Sequence, residues 1–279
     1  MGLATTTAQT TKRGLTGAVK HAAGLADLVA RPQAGAMILL YHRVGSGSTL
    51  ELDVAASLFD EQMAAISAAG RAASLDDAVE ALARAIEPAV HPAVVTFDDG
   101  TVDIVDVALP ILVRHGVPAT IYVATRFVED REDFPYGGTP LTWAALAEAV
   151  STGLVTVGSH THSHAVMDKL APAEAEDELR RSRRLIEDRL QVSADHFAYP
   201  KGVSDPTAEA AVRRHYRTAA LADMGTNPYG RTDPYRLARS PIQASDGMRW
   251  FGQKLAGGMA LEGKLRARMN RRRYASAST

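Results

Sequence analysis

The chain has 279 residues, 46% of them hydrophobic and 23% charged, enough for one large domain with a substantial core. A formal net charge of −1 gives no global electrostatic argument for nucleic acid, so no such partner is expected. There is no cysteine, which excludes disulfides and thiolate metal sites; any metal must be held by His, Asp or Glu.

No segment approaches the about 18 apolar residues of a membrane span. The first 36 residues lack the apolar core of a secretory signal, because Lys20, His21, Asp27 and Arg31 interrupt every run. A cytoplasmic location is therefore expected, with peripheral membrane contact as a lesser expectation. That contact would use Gly14 to Ala30, whose weak amphipathic pattern carries basic residues. The organisation read from the chain is an N-terminal extension over 1–36, partly helical, then a main domain over 37–250. A basic C-terminal helix or tail follows over 251–279, strongly cationic from Lys264 to Arg273. Nothing in the sequence sets the oligomeric state.

Met37 to Tyr41 is a continuous apolar run, read as a buried first strand, and His42 stands at its end. Ser57 with Asp60 and Glu61, and Ser74 with Asp77, have the spacing of capping boxes that open helices to about Ala69 and Ile86. Ala93 to Phe97 is the central strand. Val102 to His115 is helical in period, with Pro110 predicting a kink or break and Gly116 a stop. Val117 to Val123 is the next strand, followed by a loop over Asp133 to Pro140 and a helix from Thr142 and Trp143. A strand at Leu154 to Val157, a long charged helix over Ala173 to Leu190 and a strand at His196 to Tyr199 come next. A helix over Thr207 to Tyr216 and a strand at Thr218 to Leu221 complete the pattern. About six or seven strand–helix alternations imply a mostly parallel sheet in an α/β fold, better suited to a barrel than to two domains.

The central strand ends in Asp98 and Asp99, followed by Gly100. Active sites of parallel α/β folds sit at the C-terminal ends of strands. Two adjacent carboxylates repel, so a metal ion, a cation or a shared proton must offset them; a plain turn is the competing reading. His160 and His164 are spaced i, i+4, so a helical segment there would put both imidazoles on one face, able to share a metal. At that spacing His162 points elsewhere, as a bystander or a substrate contact. An Asp-His-His set leaves coordination positions open for water and substrate, with the second Asp free as a general base.

Several motifs occur in order: Thr96-Phe97-Asp98-Asp99-Gly100, Ala108-Leu109-Pro110-Ile111-Leu112, Gly116-Val117-Pro118-Ala119-Thr120, Leu141-Thr142-Trp143, and Gly158-Ser159-His160-Thr161 with His164. Together they closely resemble the NodB-type polysaccharide deacetylases, over Ile38 to Arg239. The resemblance implies a single-domain, distorted (β/α) barrel of about seven strands that hydrolyses the acetamide of an N-acetylated carbohydrate. It implies Asp98 as general base, and Asp99, His160 and His164 as ligands of a divalent metal, usually Zn2+. The metal would polarise the acetyl carbonyl, and a backbone N–H would join it in stabilising the oxyanion.

Two departures matter. Where the family commonly has Arg-Pro-Pro-Tyr, this chain has Ala198-Tyr199-Pro200-Lys201, so the arginine that orients the base is absent. The Lys201 backbone N–H then aligns with the oxyanion donor, and Tyr199 and Pro200 are expected substrate contacts. The Phe-Ala-Tyr-Pro form resembles the branch that includes poly-N-acetylglucosamine deacetylases. No histidine follows His215, so the usual C-terminal general acid is missing too. In that branch an N-terminal Tyr-His element supplies it, and Tyr41-His42 matches, making His42 the expected general acid. Arg239 is the candidate substitute for the missing arginine. The competing readings are a metal amidohydrolase of a small non-sugar amide and a sugar-binding protein that has lost catalysis. The loop from Arg126 to Pro140 is the feature that would set an open groove or an enclosed pocket.

Overall fold

The computed structural model describes residues 19–25, 27, 32–85 and 87–265. The first strand is β1 (Met37–Tyr41), and a small parallel pair follows it, β2 (Arg43–Val44) with β3 (Asp53–Val54). The remaining strands are β4 (Ala93–Phe97), β5 (Ala119–Val123), β6 (Val155–Ser159), β7 (His196–Ala198), β8 (Thr218–Ala220) and β9 (Ser240–Pro241). The principal sheet runs β8-β7-β6-β5-β4-β1-β9, and every pairing in it is parallel. The helices between strands are α1 (Ala56–Ala68), α2 (Leu75–Ala83), α3 (Leu109–His115), α4 (Thr125–Asp130), α5 (Trp143–Ser151), α6 (Pro172–Leu190), α7 (Pro206–His215) and α8 (Gly247–Leu255).

The sheet curls into a distorted (β/α) barrel, and one short segment closes it. The Leu237 N–H donates to Ala219 O and the Leu221 N–H to Leu237 O, which fastens this segment to β8. A few residues later Ser240 and Pro241 align with Leu39 and Leu40 of β1. Side-chain alternation along the strands sorts the core into two faces. Met37, Leu39, Tyr41, Val95 and Phe97 pack outward, under the helices. Ile38, Val94, Tyr122, Ala198, Ala220 and Leu237 form a second cluster. Residues from opposite ends of the strand order meet there because that face lines the barrel interior. Leu75, Ala78 and Leu82 of α2 join the interior cluster beside Ala36, so α2 plugs the mouth from which the strands start. The opposite mouth, at the strands' C-terminal ends, is left for loops.

Local sequence accounts for most element ends. Ser74 Oγ accepts the Asp77 N–H at 3.1 Å and donates to Asp77 Oδ2 at 2.6 Å, forming the expected cap. The helix it opens ends at Ala83, short of Ile86, with Ala85 in the left-handed region. The expected Ser57 box does not form: α1 begins one residue earlier, at Ala56, behind Ala55 and without a side-chain cap. Pro110 is accommodated by a π-turn over Ile104–Ala108, closed by the Leu109 N–H on Ile104 O. Widening that turn relieves the clash that a proline ring makes with the carbonyl four residues back in a regular α-helix. Gly116, at φ 62°, then ends α3.

Residues 19–25 are helical, while the rest of the amphipathic stretch read from Gly14 to Ala30 lies largely outside the described residues, as does the basic run beyond Leu265. No helix among the described residues is long and apolar enough to cross a membrane. The N-terminal helix is fixed to the barrel through charge. Lys20 Nζ lies 2.7 Å from Asp246 Oδ1, and Lys254 Nζ lies 2.7 Å from Asp246 Oδ2, all three side chains being buried. Burial pushes the Asp246 carboxyl up, but the charges of Lys254 and Lys20 outweigh it and hold the group below the usual range. A carboxyl depressed in this way stabilises the fold above its unfolded pKa of about 4, and that contribution is lost as the pH falls through the folded value. Asp246→Asn leaves two buried ammonium groups without their shared anion and is expected to cost about 3–5 kcal/mol. The urea midpoint at pH 7 measures this, and an unchanged midpoint would refute the clamp.

Candidate active site

The C-terminal mouth collects the chemistry-bearing residues of four strand ends. Along β4 the interior positions are Val94 and Thr96, and Asp98 continues that series one step past the strand. Asp99 then turns with φ 74°, and Gly100 follows at φ 90°. A Cβ on Gly100 would stand 2.9 Å from Val123 Cγ1, so both backbone angle and space demand glycine there. His160 follows β6 directly, His42 follows β1, and Lys201 lies in the turn after β7.

Arg239, on the closing segment, is fully buried and points into the interior. Its Nη1 donates to Asp98 Oδ1 at 2.6 Å and its Nη2 to Asp98 Oδ2 at 2.9 Å, a bidentate fork. Its Nε donates to Leu221 O at 3.0 Å, and the guanidinium lies 5.2 Å from the Tyr122 ring centroid. Burial pushes the Asp98 carboxyl up, but the Arg239 charge and the hydrogen bonds that guanidinium makes hold it below the usual carboxylate range.

Asp99 turns to the histidines. Its Oδ1 lies 3.3 Å from His164 Nε2 and 3.8 Å from His160 Nε2, and His160 Nε2 is also 3.8 Å from Asp98 Oδ2. One ligand atom from each of Asp99, His160 and His164 lies within 4.8 Å of the others. The His160 Nδ1–H donates to Ala198 O at 2.7 Å, which assigns the tautomer and leaves Nε2 as a lone pair facing the carboxylates. Burial lowers the His160 pKa to about 4, so the ring stays neutral at physiological pH. Burial pushes the Asp99 carboxyl up, but the histidines around it, His164 foremost, outweigh burial and hold it well below the usual range. A carboxylate and two imidazoles, one of them oriented by a backbone carbonyl, form a donor set that fits a divalent cation.

The histidines converge for a reason other than the one their spacing suggests. Residues 160–166 are not helical; Thr161 at φ 64° and His164 at φ 59° bend the chain so that both rings return to Asp99. His162 turns away, with its Nδ1 3.0 Å from Thr125 Oγ1. It borders a cavity of about 640 Å³ between α4 and α6, lined by charged residues such as Arg126, Glu178 and Arg181 and lying beside the cluster, not over it. Lys201 is exposed and left-handed at φ 62°, and no backbone hydrogen bond from its N–H is present among the described residues. His42 is half-buried, near enough for its charge to act on both Asp98 and Asp99, and its buried Nδ1 has no partner among the described residues.

One expected site residue is not at the mouth. Tyr199 follows the outward alternation of Phe197, with the two rings 5.0 Å apart, and is fully buried in the cluster under α7 with Tyr216, Ala208 and Val212. It offers no surface to a substrate; Pro200 beside it is buried too. Two residues at the mouth were not expected from sequence. Tyr136, from the loop after α4, has its ring 6.1 Å from the His164 ring, near enough for the Asp99 charge to act on its hydroxyl. Burial first, then the Asp99 charge, keeps that phenol protonated. Arg43 donates to Gly137 O and lies 5.9 Å from the Tyr136 ring centroid. The one available signal was the aromatic-then-double-glycine pattern Phe134 to Gly138.

Comparison with known proteins agrees with this arrangement. A family model described as polysaccharide deacetylase matches residues 86–220, a stretch that contains Asp98, Asp99, His160 and His164. YxkH of Bacillus subtilis, whose name assigns it to polysaccharide deacetylation, is 25% identical over 213 residues, covering 76% of this chain and 72% of its own. The same fold occurs in the deacetylase PplD of Streptococcus pyogenes, solved in complex with acetate (TM-score 0.69, 23% identity, 80% of this chain and 99% of that one). It occurs also in IcaB of Ammonifex degensii (TM-score 0.70, 22% identity, 80% and 98%). The chain is thus similar to polysaccharide deacetylases in sequence over residues 86–220 and in fold over most of its length.

Arg239→Met removes the cation from the buried Asp98 carboxylate, which favours the neutral acid and raises its pKa. Carbon-13 NMR titration of Asp98 should record a midpoint displaced upward relative to the unsubstituted protein; an unmoved midpoint would show that Arg239 does not set its ionisation.

Proposed function

We propose that this chain hydrolyses the acetamide of an N-acetylated sugar unit, releasing acetate and leaving a free amine. The observation that carries the reading is the division of labour between adjacent carboxylates: Asp98 is clamped by Arg239, while Asp99 faces two imidazole nitrogens. A binding protein has no need of an ionised base held beside a cation site.

In this reading Asp99, His160 and His164 hold the divalent metal, with zinc the ion the family resemblance implies. A bound cation supplies Lewis-acid polarisation and a more acidic water, which a carboxylate of lowered basicity requires of its partner. Asp98 accepts the proton of the attacking water, its orientation fixed by the Arg239 fork. As the acetyl carbonyl becomes tetrahedral, the Lys201 backbone N–H donates to the oxygen that gains negative charge. The C–N bond then breaks, and His42 delivers a proton to the departing nitrogen so that it leaves as an amine. The unpartnered Nδ1 of His42 and its closeness to both aspartates support that role. Similarity to polysaccharide deacetylases, together with the Phe-Ala-Tyr-Pro form at residues 197–200, supports the substrate class.

An acetate-release screen over N-acetylated sugars, oligomers and simple amides tests the reading. Release from acetylated oligosaccharides is expected, and release from simple amides alone would overturn it. Asp98→Asn should abolish turnover with metal content near that of the unsubstituted protein; loss of both together would contradict the separation of base from ligand. His160→Ala or His164→Ala should lower bound metal, measured by elemental analysis. His42→Ala should slow acetate release roughly 10²–10⁴-fold, and a near-normal rate would return His42 to a structural role.

A further inference from the structure

The mouth holds positive charge that the proposed hydrolysis leaves unused. Arg239 is matched there by Asp98, at 2.6 Å. Arg43 and Lys201 have no carboxylate within ion-pair distance among the described residues. Arg43, the first residue of β2, is only 5% exposed, and it donates to a neutral acceptor, Gly137 O. The nearby Asp103 carboxylate accepts the Val44 N–H, at 2.7 Å, in place of the guanidinium. A buried cation without an anion is costly, and Gly138, at φ 107°, is what admits it, because a Cβ there would collide with Arg43 Nη2. Lys201 is exposed, in the turn after β7. Gly202 at φ 67° fixes that turn, since a Cβ on it would collide with Ala222. The Lys201 ammonium lies 5.2 Å from the Tyr136 ring centroid and the Arg43 guanidinium 5.9 Å, while the same ring is 6.1 Å from the His164 ring. Buried Phe134, stacked 5.7 Å away, and the Leu141 N–H on Gly100 O at 2.8 Å hold that loop against the carboxylate turn. An aromatic face attracts an ammonium group without cancelling its charge. Two positive charges, one buried and one exposed, therefore converge on one ring at the rim of the site, and neither is neutralised from within.

We propose that Lys201 is a specificity-determining residue whose ammonium group binds an anionic group, carboxylate or phosphate, on the sugar unit being deacetylated or on its immediate neighbour. Arg43 adds a second, fixed positive charge to the same rim. The inference rests on the reading of the chain as a sugar N-deacetylase and narrows its substrate. In that reading the Lys201 backbone N–H faces the acetyl oxygen, so its side chain, a four-carbon stem, reaches only ground close to the acetyl group. One residue thus meets the reacting group with its backbone and a charged neighbour with its side chain. A carboxylate or phosphate oxygen accepts the ammonium hydrogens in a charge-assisted bond. A neutral sugar offers no counter-charge to either cation.

The test is steady-state acetate release by the full chain from matched pairs of substrates, over a series of salt concentrations. One pair sets an N-acetylglucosamine oligomer against an oligomer of equal length in which glucuronate alternates with N-acetylglucosamine. The other sets the methyl glycoside of N-acetylglucosamine against its anomeric phosphate. The charged member of at least one pair is expected to be favoured in kcat/KM by roughly tenfold, the scale of one charge-assisted hydrogen bond. The preference should shrink as salt rises, and the pair that shows it identifies carboxylate or phosphate as the group bound. Lys201→Met should remove most of the preference, and Lys201→Arg, which keeps the charge, should retain it. Equal turnover of charged and neutral members by the unsubstituted protein would overturn the proposal and leave the deacetylase reading intact. A Lys201→Met variant that slows both members in equal proportion would overturn it too, since the side chain then serves the turn alone. The salt series needs no substitution and decides the matter if that variant does not fold: a preference that salt leaves unchanged is not made by Lys201. Release from no sugar at all would sink the deacetylase reading itself, and this inference with it.

Discussion

The bidentate pair between Arg239 and Asp98 is the interaction on which the arrangement of the mouth depends. It is made inside the barrel, by a residue on the short segment that pairs with β8 at Leu237 and with β1 at Ser240. The same few residues therefore close the sheet and charge-balance the site. A guanidinium in that interior is tolerable only because Asp98, Leu221 O and Thr96 Oγ1 accept its hydrogens and Tyr122 offers it a ring face. Closure and ionisation are thus coupled: loosening the segment exposes the cation, and removing the carboxylate strands it.

Backbone strain gathers at the mouth. Of the eight non-glycine residues with positive φ among the described residues, Asp99, Thr161, His164 and Lys201 belong to it. Arg131 and Gln191, by contrast, simply end helices in the left-handed conformation. A non-glycine residue in that region is unfavourable and persists only where its surroundings over-determine it. Here they do: Asp99 is followed by an obligatory glycine, the Ala165 N–H donates to Thr161 Oγ1 at 3.0 Å, and Ser163 donates twice to the Glu178 carboxylate of α6. The helix α6, read from sequence only as long and charged, is also the brace of the histidine turn.

What the sequence made legible was whatever is contiguous. The carboxylate pair at the end of β4, the histidines after β6 and the histidine after β1 each follow a buried run whose end marks the functional mouth, so strand patterning alone located them. Arg239 was reached indirectly, as a replacement for an arginine missing elsewhere. The histidines' convergence was expected for a helical reason and is achieved by left-handed turns, because dihedral choice in a polar loop leaves no periodic trace. Tyr199 was misplaced although a signal existed: alternation through Phe197, Ala198 and Tyr199 sends the tyrosine outward with the phenylalanine. Arg43 stood beyond reach, since nothing local connects it with a carbonyl 94 positions away, and Tyr136 was marked only by the aromatic and glycine pattern of its loop.

Two adjacent carboxylates posed an electrostatic problem at the outset, and the fold resolves it by giving them dissimilar neighbours. Strand alternation sends Asp98 inward to a fixed positive charge, and the turn at Asp99 sends the next carboxylate sideways to imidazoles. The first carboxylate is compensated within the protein, so it stays ionised whatever else binds. The second is surrounded by groups that hydrogen-bond it or share a ligand position with it, and His160, kept neutral by burial, adds no lasting positive charge. The uncompensated charge of the pair is thereby concentrated on Asp99. On the proposed reading, a divalent cation is the partner that such a residual charge, beside two imidazoles, selects over a proton or a lysine. The chemical distinction between neighbours of identical side chain is thus set by a single turn of the backbone.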